Sequence, residues 1–367
     1  MASSPSKPNA AVAPVQAMVI GDSQVVGDMV DGILGRDARI QVAARPADGE
    51  KAVVQFRTTE AEVVVIDIGG NPKQSLTTIS RLLRIDAKVR IIMVSTLSFT
   101  NVKTGLEGIE RGAVEFLQTP ATHTKDSSHA VFQHNLTETV FELGMARREE
   151  GERLAKKPPS LAKDAPITLR PASTEPPKVL VIASSTGGPQ ALLSVFAGLS
   201  ASFTLPVLIA QHMPPVFTGA LAQNIARTSG RPCVEGKDGE VLKPGHVYVA
   251  PGDYHMVLER NGSDVCIGLN QDARENYCRP SAEPLFRSAA KTFGPATLGL
   301  VLTGMGSDGA AGAQTITRAG GTIIAQDHET SVVWGMPGAV AGEGLCSAVL
   351  ALGEIGGYLN EAASYKP

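Results

Sequence analysis

KVLVIASSTGGPQALLSVFAGL, residues 178–199, decides how this chain folds. After Lys178 an unbroken apolar run, Val179–Ala183, meets Ser184, which is how a strand buried on both faces reads. ALLSVFAGL, residues 191–199, then places apolar residues at helical spacing. Between them Ser-Thr-Gly-Gly-Pro makes a tight strand-to-helix turn. Pro189 suits the first helical turn, where its missing N–H costs nothing. Strand, turn and helix in this order are the unit of an α/β fold with a parallel sheet.

The same alternation continues in both directions. Toward the carboxy terminus, PVLIAQHM (206–213) reads as a strand and TGALAQNIART (218–228) as a helix. HVYVAPGDYHMVLERNGSDVCIGL (246–269) reads as antiparallel strands punctuated by Pro-Gly-Asp and Asn-Gly turns. A helix at 281–293, a strand at 297–305, a helix at 308–320 and a strand at 322–327 follow, and SAVLAL and EIGGYLNEAAS close the chain. Toward the amino terminus, AMVIGDS, EVVVIDI, VRIIMVST and AVEFLQT read as strands, and DMVDGILGR, LTTISRLLRI and GLEGIERG as helices. The fold class expected is α/β, with two doubly wound parallel-sheet domains: a flavodoxin-like one at 16–147 and a larger one with an antiparallel hairpin region at 178–367. Residues 148–177 are rich in charge and proline without a sustained apolar period, and read as a linker.

Bulk properties narrow the function. A net charge of -3 lacks the basic excess of a nucleic-acid binder. No apolar run reaches the roughly 18 residues of a membrane span. The leading MASSPSKPNAAVAPVQ lacks the apolar segment of a secretory signal and reads as a short disordered lead. Cys233, Cys266, Cys278 and Cys346 are scattered, with no metal-type spacing, as expected of free thiols in a reducing cytoplasm. A cytoplasmic protein without direct membrane insertion is expected.

Three chemically competent sites in the second half fall just after strands, where open parallel sheets carry their functional groups. Ser184-Ser185-Thr186-Gly187-Gly188 sets a hydroxyl on a tight turn whose helix amino terminus offers N–H groups to a developing oxyanion. A phosphate-cradling turn is the alternative for this segment alone. His212, in Gln-His-Met-Pro-Pro, is placed to act as a general base. Asp308, in Gly-Met-Gly-Ser-Asp-Gly, is placed to orient that histidine, completing the roles of a Ser-His-Asp triad. The Gly-x-Ser-x-Gly elbow of lipase-type enzymes is absent.

VIASSTGGPQAL, QHMPPVFTGALA, VAPGDYHM, CRPSAEPLF, LTGMGSDGAAG and WGMPGAV, in this order across 178–365, resemble the chemotaxis methylesterase (CheB-type) domain. The resemblance implies hydrolysis of glutamate γ-methyl esters on chemoreceptor cytoplasmic domains, with deamidation of selected glutamines. It makes Ser185, not Ser184, the nucleophile, with His212 as base and Asp308 behind it. It also implies backbone oxyanion donors near Thr186 and Met305, a substrate contact through Arg279, and no cofactor for the ester chemistry. His255 and Trp334 read as structural.

Residues 17–145 resemble a response-regulator receiver, which implies a chemotaxis histidine kinase as partner and a Mg²⁺-assisted phosphoryl transfer. Asp67 matches the phosphoacceptor and Ser95 the switch hydroxyl. Two parts depart from the pattern. Of the usual acid pair only Asp22 remains, which weakens the Mg²⁺ site shared with Asp67. Thr119 stands where a lysine is expected. A phosphorylatable receiver and a receiver fold kept for docking or inhibition both stay open here. An esterase serving another sensory pathway and a non-enzymatic adaptor are the competing functions.

Overall fold

The computed structural model describes residues 13–21, 23–96, 98–120, 127–155 and 167–364. The amino-terminal lead, Asp22 and the middle of the connector lie outside the described residues.

The first domain runs β1 (Val15–Ile20), α1 (Gln24–Leu34), β2 (Ile40–Ala44), α2 (Gly49–Phe56), β3 (Val63–Asp67), α3 (Pro72–Ile85), β4 (Arg90–Ser95), α4 (Phe99–Glu110), β5 (Glu115–Gln118) and α5 (Ser127–Ala155). Its strands pair in parallel in the order β2-β1-β3-β4-β5, the flavodoxin-like order. β3 is buried along its whole length, which is why Val-Val-Val-Ile-Asp is a continuous apolar run. Side-chain oxygens of Ser23, Asp48 and Asn71 cap α1, α2 and α3. β2 and α2 escaped the sequence reading. β2 sits at the sheet edge with every second residue at least partly exposed, so no apolar run marks it.

The domain boundary expected at Arg147 falls inside α5, which continues to Ala155. The charged residues there are tethered to the first domain. Arg147 meets Asp86 at 2.5 Å, Arg148 meets Glu62 at 2.5 Å, and Glu150 meets Arg90 at 2.8 Å. Farther on, Arg170 N–H donates to the Cys346 carbonyl and Ser173 N–H to Thr322 Oγ1, so the end of the connector lies along the second domain.

The second domain runs β6 (Val179–Ser184), α6 (Gly188–Ala197), β7 (Val207–Gln211), α7 (Phe217–Ser229), β8 (Cys233–Glu235), β9 (Val247–Val249), β10 (His255–Asn261), β11 (Asp264–Asn270), α8 (Ala282–Phe293), β12 (Thr297–Val301), α9 (Ala310–Arg318), β13 (Thr322–Gln326), α10 (Gly335–Gly342), β14 (Ala348–Leu350) and α11 (Leu352–Ser364). Its main sheet is parallel, in the order β14-β13-β12-β6-β7-β9-β8. Val247–Val249 corrects the sequence reading: it joins this parallel sheet between β7 and β8, and only β10 and β11 form an antiparallel hairpin. Period-2 patterning does not report strand direction, and the turn residues after β9 pointed to a hairpin one strand too early. One core layer packs α8, α9 and the hairpin on one face of the sheet; the other packs α6, α7 and α11. The connections leave in opposite directions from β6 and β12, so the switch point of the sheet lies between these neighbours.

At that switch point the chain depends on Gly187, whose φ of 76° caps α6 in the left-handed region. A Cβ there would lie 2.6 Å from Val332 Cγ2. Gly187→Ala is expected to destabilise the second domain by about 1–3 kcal/mol of backbone strain. The single tryptophan, Trp334, lies in this domain and reports it: the urea midpoint of its fluorescence should fall, and an unchanged midpoint contradicts the argument.

Candidate active site

Ser185, His212 and Asp308 converge although they stand on three separate strand-to-helix connections. Ser185 follows β6 and His212 follows β7. Asp308 lies in the loop between β12 and α9. Ser185 Oγ lies 3.1 Å from His212 Nδ1, and His212 Nε2 lies 2.7 Å from Asp308 Oδ2. The adjacent serine is excluded by its own bonding: Ser184 is fully buried and donates to Gln211 Oε1 at 2.7 Å. The ring is turned end for end relative to the familiar triad, in which Nδ1 faces the acid. With its proton on Nε2, directed at Asp308, the imidazole presents the Nδ1 lone pair to Ser185.

Asp308 is 2 % exposed and is met by donors on every side. Besides His212, it accepts from Ser281 Oγ at 2.6 Å, Asn276 Nδ2 at 2.8 Å and the Ala282 N–H at 2.7 Å. The last of these places the carboxylate at the amino terminus of α8. Burial pushes its carboxyl up, but the bonds from His212, Ser281 and Ala282 outweigh that and hold it down at about 2. Burial likewise opposes charge on His212, and Cys278 and Asp308 overcome it, raising the imidazole well above its usual 6.5. Glu283 fixes the loop from below, accepting from the N–H groups of Gly309 at 2.9 Å and Ala311 at 3.2 Å, and from that of Gly312.

Several contributors carried no signal in the sequence. Gln211 Nε2 donates to the Ser185 and His212 carbonyls, both at 3.0 Å, and so ties the two connections together. Gly304 lies so close that a Cβ on it would sit 2.8 Å from Ser185 Cβ. Asn276 reaches Asp308 because it and Tyr277 adopt left-handed backbone, with φ of 50° and 63°.

The remaining candidates separate. Thr186 is buried beside Ser185, and Met305 stands in the turn between Gly304 and Gly306, its side chain against the first domain's core. Arg279 is not brought to Ser185. Its guanidinium binds Asp253 Oδ1 at 2.8 Å and the Gln271 and Asp272 carbonyls, which staples the hairpin to the loop before α8. His255 is structural, holding the Ala273 carbonyl and the Ser281 N–H. Trp334 Nε1 donates to the Gln326 carbonyl.

The first domain covers this turn. The Gly187 N–H donates to the Val114 carbonyl at 3.3 Å, and Thr186 Oγ1 donates to Glu115 Oε2 at 2.8 Å. Around them, Phe116 meets Phe217 with ring centroids 4.3 Å apart, Gln190 Nε2 donates to the Ala113 carbonyl, and Arg227 pairs with Glu110. Glu115 is partly buried between the domains. Burial pushes its carboxyl up to about 7, against the opposing hydrogen bonds from Thr186 and the Phe116 N–H.

In the first domain Asp67 ends β3, is 3 % exposed, and accepts from the Gly69 N–H at 2.8 Å. Ser95 Oγ accepts from Asn101 Nδ2 of α4 at 2.8 Å, and the Thr119 N–H donates to the Ser95 carbonyl. Asp22, the other expected metal ligand, lies outside the described residues. Among the described residues no group of three or more His, Cys, Asp or Glu is set to hold a metal ion, and no helix is long and apolar enough to cross a membrane.

Comparison with known proteins gives consistent matches. The CheB methylesterase family profile matches residues 180–359. The chain is 43% identical over 370 residues to protein-glutamate methylesterase/protein-glutamine glutaminase 1 of Rhodospirillum rubrum, covering 96% of each chain. It is 42% identical over 353 residues to protein-glutamate methylesterase/protein-glutamine glutaminase 2 of Caulobacter vibrioides, covering 95% of this chain and 99% of that one. The crystal structure of the Thermotoga maritima CheB methylesterase catalytic domain matches with a TM-score of 0.50 and 42% identity, covering 50% of this chain and 98% of that one.

The raised Glu115 carboxyl makes the domain contact pH-dependent. The docked state keeps its proton up to about 7, whereas a released glutamate loses it near 4.5. Docking is therefore favoured most below 4.5, weakens as pH rises through the window from 4.5 to 7, and levels off above it. Hydrogen exchange at the Gly187 amide, measured against Glu115→Gln to remove the intrinsic pH effect, should show wild-type protection falling across that window. A ratio that stays constant contradicts this.

Proposed function

The chain belongs to the CheB methylesterase family, and from that premise we propose that it hydrolyses γ-methyl esters of glutamate side chains on chemoreceptor cytoplasmic domains. The observation that carries this reading is the line Ser185 Oγ–His212 Nδ1 and His212 Nε2–Asp308 Oδ2, set at the switch point of a parallel sheet.

The chemistry is acyl transfer. Ser185 Oγ gives its proton to Nδ1 of His212 and attacks the ester carbonyl. The oxyanion forms at the amino-terminal end of α6, where backbone N–H groups near Thr186, with those around Met305, serve as donors. His212 returns the proton to the departing methoxide, and methanol leaves. Water, deprotonated by the same nitrogen, then attacks the acyl-serine and frees glutamate. A glutamine side chain enters the same sequence with ammonia as leaving group, which gives the deamidase activity. Nucleophile, base and orienting acid are all side chains of this domain, so the ester chemistry calls for no cofactor. Methylated chemoreceptors are the protein partners, at the cytoplasmic face of the membrane.

The first domain is the regulator in this reading, with a chemotaxis histidine kinase as the phosphoryl source and Asp67 as acceptor. Asp67, with Asp22 by the family resemblance, would hold Mg²⁺, which would supply charge neutralisation for the incoming phosphoryl group. Ser95 is held by Asn101 of α4, and the next turns of α4 reach the second domain: a Cβ on Gly105 would touch Phe217, and the Ile109 carbonyl accepts from Gln190. A phosphoryl group that recruits Ser95 would release Asn101 and shift α4 at the contact.

Ser185→Ala should lower methanol release from a methylated receptor domain by about 10⁴-fold or more, with the thermal midpoint preserved. Retained activity removes Ser185 from the nucleophile role. A small phosphodonor with Mg²⁺ should label the wild type and not Asp67→Asn. Equal labelling, or none on the wild type, argues for a receiver fold kept for docking.

A further inference from the structure

His212 meets a third side chain that the hydrolytic line does not use. Cys278 Sγ lies 3.4 Å from Nδ1, the same nitrogen that faces Ser185 Oγ at 3.1 Å. Nε2 is occupied by Asp308 at 2.7 Å. A neutral imidazole protonated on Nε2 has one lone pair, on Nδ1, and a hydroxyl and a thiol converge on it. A lone pair engaged by the thiol is not free for the hydroxyl, so the two side chains are alternatives on one nitrogen.

The placement comes from the same loop that anchors the acid. Left-handed backbone at Asn276 and Tyr277 turns the chain so that Asn276 reaches Asp308 and Cys278 faces the histidine. The other cysteines are different in kind: Cys233, Cys266 and Cys346 are buried, while Cys278 is partly exposed. Among the described residues, three titratable groups act on the imidazole: Asp308 from the loop before α9, Cys278 from the loop before α8, and Glu115 from β5 of the first domain.

We propose that Cys278 is a positioning residue of the hydrolytic site, competing with Ser185 for Nδ1 of His212 and so setting how much free base is available. The proposal rests on the reading of His212 as the base for Ser185. Its sign follows directly. Cys278 and Asp308 both favour charge on the ring, and imidazolium has no lone pair with which to accept the Ser185 proton. Loss of the thiol therefore frees the base at lower pH. Serine in its place keeps the small side chain but not the sulfur that favours charge on the ring, so it shifts the limb in the same direction as alanine does.

The test is the pH dependence of kcat/KM for methanol release by the full chain and by Cys278→Ala and Cys278→Ser, since its acid limb reports the free-enzyme base. Both variants should move the acid limb to lower pH, so that activity at its foot, relative to the plateau, rises several-fold. A uniform loss at every pH with the limb unmoved is what a merely structural role predicts, and it overturns the proposal. Iodoacetamide alkylation mapped by peptide mass spectrometry gives a second readout that turns over no ester. Cys278 should react ahead of the three buried cysteines, and His212→Gln should slow that reaction several-fold at neutral pH. Equal rates with and without His212 overturn the proposal. If methanol release is missing while His212 still accelerates alkylation, the esterase reading fails and the Cys278–His212 pair stands.

Discussion

A carboxylate that is 2 % exposed must be surrounded by donors, and the loops around Asp308 are arranged to supply them. The α8 amino terminus contributes the Ala282 N–H and Ser281 Oγ, the strained turn before it contributes Asn276, and β7 delivers His212. An ionised acid held at about 2 then fixes which nitrogen of the imidazole carries the proton. That choice leaves the Nδ1 lone pair toward Ser185 at the amino end of α6, the geometry on which the proposed proton transfer rests. Without those donors burial would neutralise Asp308, and the histidine would lose both its tautomer and its orientation.

The second constraint is steric. The turn after β6 admits no side chain at Gly187 without strain, and Gly304 lies against Ser185 from the neighbouring connection. A turn this bare lets another chain approach Ser185. In the docked arrangement the start of β5 and the residue before it take that space, with the Val114 carbonyl on the Gly187 N–H and Glu115 on Thr186. The features that open the turn to a substrate also open it to the first domain, which occupies the same surface. The apolar contact of Phe116 with Phe217 and the polar pair of Arg227 with Glu110 lie beside this surface rather than on it.

Much of this was legible in the sequence where chemistry is local. KVLVIASSTGGP announced a buried strand, a tight turn and a helix, and Ser185, His212 and Asp308 each stood at a strand end. Other parts depend on partners remote in sequence. Whether Ser184 or Ser185 faces the base is settled in the structure by a bond to Gln211, and the orientation of the imidazole by which ring edge meets Asp308. Cys278 looked like any scattered thiol until the fold set it on Nδ1. Arg279 read equally as a substrate contact or a structural ion pair, because its partner, Asp253, is remote in sequence; the fold bonds it to Asp253 and two carbonyls. The charged start of the connector read as a linker because charge without apolar period usually is solvated; here it pairs with Asp86, Glu62 and Arg90 and stays helical.

The most direct measurement is covalent capture of the nucleophile with a fluorophosphonate, mapped by mass spectrometry in the full chain and in a fragment beginning at Pro177. The account predicts a single adduct on Ser185 that forms faster in the fragment, where nothing occupies the turn. An adduct on Ser184, no adduct in either protein, or equal rates in both would contradict it.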